Sequence, residues 1–197
     1  MRTPTSLLAV SSIAVAALLA PLSGAAAQAA ATARLVPAQS EIVFVSKQMG
    51  VPVEGRFKKF DAQVTLDPAK PEAGQVALRI DLGSATLGVP ETDAELQKPE
   101  WFNTATFPQA TFQSRSIKPL GGGKFLVDGQ LTIKGNSRAI QVPVALSASG
   151  DTRTATGAFA IKRLEYKIGA GEWGDTSMVA DEVQVKFKLA LAGLGAP

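Results

Sequence analysis

Residues 183–189 alternate strictly between apolar and polar side chains, with Val183, Val185, Phe187 and Leu189 set against Gln184, Lys186 and Lys188. An extended chain turns successive side chains to opposite faces, so this is a strand with one apolar and one wet face. The same period recurs at 76–82, where Val76, Leu78, Ile80 and Leu82 share a face, and at 140–146 with Ile140, Val142, Val144 and Leu146. Further strands are expected over 41–46, 53–57, 60–66, 111–117, 125–133 and 154–161, and the last strand runs on to residue 191. Gly50 and Pro52, Asp67 and Pro68, Gly121 to Gly123, and Gly135 with Asn136 separate them as turns. Short connections between serial strands imply antiparallel neighbours. Gly129 is expected to mark a bulge or bend, and Pro143 an edge or a local bulge.

One stretch departs from this period. Between residues 89 and 102 the chain carries Pro90, then Thr92 and Glu95 in the spacing of a capping box, then Leu96 before Pro99. One or two turns of helix fit there. So short a helix cannot stand alone, so Leu96, Trp101 and Phe102 must dock on an apolar surface such as a barrel mouth.

The N-terminus reads as an export signal over 1–27: Arg2 supplies the basic end, 7–20 the apolar run, and Ala25 to Ala27 the small-residue cleavage site. A membrane anchor is the competing reading, but Ser11 and Ser12 interrupt the run and Pro21 ends it short of a span of about 20 residues. Removal of 27 from 197 residues leaves 170, enough for one domain with its own core. Residues 28–34 are expected to be a disordered leader, with an ordered domain over 35–197. A periplasmic location follows from this reading.

The chain has no cysteine, so a hydrophobic core must stabilise an exported fold without bridges. Losing Arg2 lowers the formal net charge from +3 to +2, and Lys and Arg alternate along strands without clustering among aromatics. No nucleic-acid partner is expected.

The chemistry-bearing motifs have plainer readings. Gly169, Gly171 and Gly174 match a dinucleotide-binding string, but the chain leads from there to a strand and not to a phosphate-binding helix. The sequence has no histidine and no nucleophile elbow. Ser46 and Lys47 are adjacent on a strand and face opposite ways. Asp93 with Glu95 fits a helix cap, and Asp181 with Glu182 the start of the last strand. An enzyme is not expected, and no metal or cofactor is implied. All aromatics, two Trp, one Tyr and nine Phe, lie beyond residue 27. An eight-stranded barrel either fills its lumen with such side chains or holds one small ligand, and periodicity leaves both open.

Ser40 to Phe44, Glu54 to Asp61, Asp93 with Leu96, Trp101-Phe102-Asn103, Phe107-Pro108 with Thr111-Phe112, Gly129 to Gly135 and Asp181 to Val183 together resemble the YceI family. Their order and spacing extend the resemblance from about Leu35 to Leu191. It implies an all-β, eight-stranded antiparallel lipocalin-like barrel with an apolar lumen and one short helix. It also implies a periplasmic carrier or sequestering role for a long-chain isoprenoid or fatty-acyl-type lipid, with no other cofactor.

Phe44, Phe57, Phe60, Leu82, Leu96, Trp101, Phe102, Phe112, Ile133, Phe159 and Ile168 are the expected wall, with the helix as a lid. Family members often carry histidines at positions matched here by Gln39, Gln48 and Glu95. A polar head would then fall to Gln39, Gln48, Lys47, Arg56 or Arg163. Arg163 is preferred because Lys162-Arg163 matches the family's Asn-Arg step, and a surface arginine bridging strands is the competing reading. Two other roles stay open: an accessory that presents an isoprenoid quinone to an inner-membrane redox partner, and an enzyme acting on a lipid pyrophosphate. A homodimer through edges near Pro143 or Phe187 is a further expectation.

Overall fold

The computed structural model describes residues 31–67 and 70–194. The signal expected over 1–27 lies outside the described residues. Strands β1 (Ala31–Leu35), β2 (Glu41–Gln48), β3 (Val51–Phe57), β4 (Phe60–Leu66), β5 (Gln75–Asp81) and β6 (Ala85–Thr86) precede helix α1 (Pro90–Leu96). Strands β7 (Gln109–Gly121), β8 (Lys124–Ile133), β9 (Asn136–Ser149), β10 (Thr152–Lys162) and β11 (Glu182–Ala192) follow it.

All eleven join one antiparallel sheet, yet they trace eight lines. β1 and β2 form one interrupted line, as do β3 with β4 and β5 with β6. β1 pairs with β4 and β2 with β3, so the first two lines run together along both halves. β4 pairs with β5, and β3 with β6. The meander continues from β5 through β7, β8, β9 and β10 to β11. β11 then bonds β2 from Gln184 to Lys188 and β1 at Leu191 and Ala192, which closes the barrel.

The interruptions satisfy one another. Ser84 receives the Lys59 N–H on its hydroxyl and the Lys58 N–H on its carbonyl, so the break at 58–59 nests against the 3₁₀ turn Leu82–Ser84. Beside the 3₁₀ turn Pro37–Gln39, Ser40 Oγ accepts the Ala190 N–H at 2.9 Å and the Val36 N–H donates to the Ala190 carbonyl. These bonds engage backbone groups at the points where the kinks interrupt the ladder.

Two expectations are corrected. Of the leader expected over 28–34, residues 31–34 instead belong to strand β1, which seals the seam between β4 and β11, and 28–30 lie outside the described residues. The capping box at Thr92 does not form. Pro90, whose fixed φ suits the first helical position, starts α1 early with Val89 at the N-cap and no side-chain cap. Thr92 is thereby placed inside the first turn.

Gly129 lies opposite a register shift between Ser114 and Ser116, as its position in the sequence suggests. The Phe112 ring lies over the space where a Cβ would stand. Gly55 admits the Phe44 ring in the same way. At Pro143 the ladder between β9 and β10 ends, the last pair being Val144 with Gly157. Proline has no N–H to continue it. Phe187 is not at a free edge, because β11 is paired there with β10 on one side and β2 on the other.

Candidate functional site

The inward faces enclose two apolar chambers, an upper one of about 340 Å³ and a lower one of about 130 Å³. They meet at a belt of Ile42, Ile80, Leu131, Phe159 and Val185, which line both. All side chains around the lower chamber are apolar, from Val64 and Leu66 to Leu189 and Leu194. The upper chamber opens at the barrel end that carries α1 and the β2–β3 hairpin. The alternation that makes the strands also makes this lumen, because the inward-facing residues of the strands are mostly apolar.

Of the residues expected to form the wall, Phe44, Phe57, Leu82, Leu96, Trp101, Phe102, Ile133, Phe159 and Ile168 line the upper chamber, as does Arg163. Phe112 lines the lower one. Phe60 lines neither. It stands at the break after β3, packs partly buried against the core beside its register partner Ile80, and borders a groove with Pro37, Lys58 and Lys59. An aromatic path runs from Phe44 to Phe57 (centroids 5.3 Å apart) and on to Phe102 (6.0 Å), while Trp101 packs on Trp173 at 5.5 Å. Leu87, Met49 and Met178, which the sequence did not single out, also line the mouth, and Thr92, read there as a helix cap, joins them. The alternation of β2 does carry Ser46 and Gln48 inward after Ile42 and Phe44, and that signal was readable.

Arg163 is neither a surface bridge nor a free head-group donor. It is 1% exposed, and each of its five N–H groups donates to a main-chain carbonyl. Nε reaches Ala180, Nη1 reaches Ile168 and Gly169, and Nη2 reaches Trp173 and Val179, at 2.6–3.1 Å. Burial pulls its pKa down and the nearby Asp181 carboxylate opposes that fall. The loop over 168–180 is thus gathered onto the barrel end by one side chain.

Lys134, in the β8–β9 turn, does the same for a second loop, its Nζ donating to the carbonyls of Pro99, Glu100 and Lys167. Burial lowers its pKa. Asp93 ties α1 to the segment before it: its carboxylate accepts from Thr86 Oγ1 and from the Leu87 N–H, which hold its pKa below the usual carboxylate range. Asp181 Oδ1 accepts the Leu164 N–H, and burial pushes the Tyr166 phenol up to about 12. Arg163, Lys134, Asp93 and Asp181 are engaged in holding loops. No group of three or more metal-ligating side chains occurs among the described residues.

Comparison with known proteins places this architecture. The YceI-like domain matches residues 34–191. A UPF0312 protein of Shewanella baltica (strain OS155 / ATCC BAA-1091) is 28% identical over 165 residues, covering 79% of this chain and 85% of that protein. Protein YceI of Salmonella arizonae is 36% identical over 97 residues, 49% of this chain and 50% of its own. The crystal structure of Burkholderia cenocepacia BcnA shares 48% identity and superposes with a TM-score of 0.77 over 79% of this chain and 98% of BcnA. A polyisoprenoid-binding domain from Saccharophagus degradans, at 23% identity, has the same fold with a TM-score of 0.65 over 83% of this chain and 99% of its own. The match spans the barrel from its first strand to its last, and the chain belongs to the YceI family.

Proposed function

We propose that this protein is a periplasmic carrier or sequestering protein for a long-chain isoprenoid or related amphiphilic lipid held in the lumen. The observation that carries this reading is the pair of apolar chambers meeting end to end, the lower one without a polar side chain. Membership of the YceI family and a polyisoprenoid-binding neighbour of the same fold support the ligand class. The export-type N-terminus supports the location. A non-catalytic role fits the polar groups of the upper chamber, since Arg163 is engaged by carbonyls and Glu95 by Lys98.

Transfer of about 15 methylenes from water contributes ~12 kcal/mol at ~0.8 kcal/mol each. Ordering a flexible tail and immobilising the ligand cost about half of that or more. The surplus of ~6 kcal/mol or less corresponds to retention of such a tail at tens of micromolar or weaker, and a longer tail binds more tightly. Leu131→Trp is expected to test the site, because Leu131 lines both chambers and an indole there fills the belt. Uptake of a fluorescent polyene fatty acid should fall at least tenfold while the melting temperature changes by only a few degrees. Undiminished uptake would place the ligand elsewhere.

The accessory reading, in which an isoprenoid quinone is presented to a membrane partner, draws on one further observation. Met49 (72% exposed), Val51 (62%), Met178 (47%) and Trp173 (41%) form an apolar rim on segments at the chamber mouth. Membrane contact through this rim predicts that Val51→Glu abolishes co-sedimentation with phosphatidylcholine vesicles. Leu120→Glu, at the opposite barrel end, should leave it intact. Equal behaviour of the two variants would remove the support for this reading.

A further inference from the structure

We propose that the mouth of the lumen selects a lipid whose head is uncharged and hydrogen-bonding, such as a hydroxyl, carbonyl or amide, over a phosphate or diphosphate on the same tail. The proposal rests on the lipid-binding reading and names the head-group chemistry of that site. Along β2 the inward face changes from Ile42 and Phe44 to Ser46 and Gln48, and Thr92 of α1 joins them at the upper chamber. These three polar side chains are half-buried, and none hydrogen-bonds to another described residue. The lumen therefore runs from an apolar floor to a neutral polar collar, which orients an amphiphile with its tail down and its head at the mouth.

Among the described residues, Arg163 is the one cationic side chain that lines the chamber, and it is committed elsewhere. Arg163 has all five N–H groups on carbonyls and lies beside Asp181. Lys134 holds three carbonyls, and Lys98 pairs with Glu95, a residue that borders the chamber. Lys47 alternates to the outer, exposed face of β2, and Arg56 belongs to the outer groove beside Phe60. A phosphate entering the collar would give up its hydration without a free cationic N–H to replace it, and it would approach Glu95. An alcohol or carbonyl asks less. The Gln48 amide both donates and accepts, and the Ser46 and Thr92 hydroxyls do the same.

The test compares geranylgeraniol with geranylgeranyl diphosphate, two ligands with one tail, by quenching of the Trp101 and Trp173 fluorescence of the full chain. The alcohol should bind at least tenfold more tightly, Gln48→Leu should weaken it about fivefold or more, and Gln48→Lys should move the preference toward the diphosphate. Equal or tighter binding of the diphosphate by the unmodified protein overturns the proposal while the lipid-binding lumen stands. If neither ligand binds, the lumen reading and the head-group proposal fall together. A Gln48→Lys protein that keeps its melting temperature but gains nothing for the diphosphate also counts against the collar.

Discussion

Replacing Arg163 by methionine is expected to destabilise the protein by about 3–5 kcal/mol, because it leaves buried carbonyls without donors. The guanidinium is 1% exposed and collects Ile168, Gly169, Trp173, Val179 and Ala180 from one loop. Methionine matches much of its length but offers no N–H. At about 2–4 °C per kcal/mol for a chain of this size, the melting temperature should drop by roughly 10–15 °C. Arg163→Lys should recover less than half, since one ammonium has three donors on a single nitrogen and cannot span five acceptors. The Trp101–Trp173 contact supplies a local readout, because Trp173 is on the loop that Arg163 holds. Loss of near-ultraviolet tryptophan ellipticity should precede global unfolding in the methionine variant. A melting temperature within 3 °C of the parent would show that the loop is held by other contacts.

Gly129→Val is expected to cost about 3 kcal/mol or more, from overpacking and not from lost contact. A Cβ at this position would overlap the Phe112 ring and stand 2.7 Å from the Gln113 carbonyl. Phe112 cannot swing away freely, because it is buried and forms part of the lower chamber. Phe112→Leu should restore part of the stability of the valine variant, since it removes the ring but leaves the Gln113 carbonyl in place. The coupling is measurable as a double-mutant cycle. Strict additivity of the two substitutions would contradict the packing described for this wall.

Period-2 alternation made β5, β9 and β11 legible in the sequence, because each needs only its own residues to declare an apolar face. β1 was not legible in this way. Ala31-Thr32-Ala33-Arg34 reads as an extension of an alanine-rich leader, and it becomes a strand only through partners at 63–66 and 191–192. The helix was placed correctly, but its start was not. Thr92 carries the sequence pattern of a cap, and Pro90 two residues earlier decides the first turn.

The wall residues were readable for the same reason as the strands. Phe44, Ile133 and Phe159 alternate inward wherever the line is unbroken. Phe60 packs on the core without reaching either chamber, because it sits at the kink at 58–59, which no local pattern announces. The role of Arg163 was the least legible. Its partners are main-chain carbonyls, which carry no residue-type signal, and a loop of irregular backbone brings them together.

The most direct test of the lipid-carrier account is native mass spectrometry of the exported protein purified without detergent, followed by denaturation and identification of what is released. The account predicts one amphiphile per chain, with a long apolar tail and an uncharged head. An empty protein that also takes up no added prenol would contradict it, and would make the two chambers packing defects of a filled barrel.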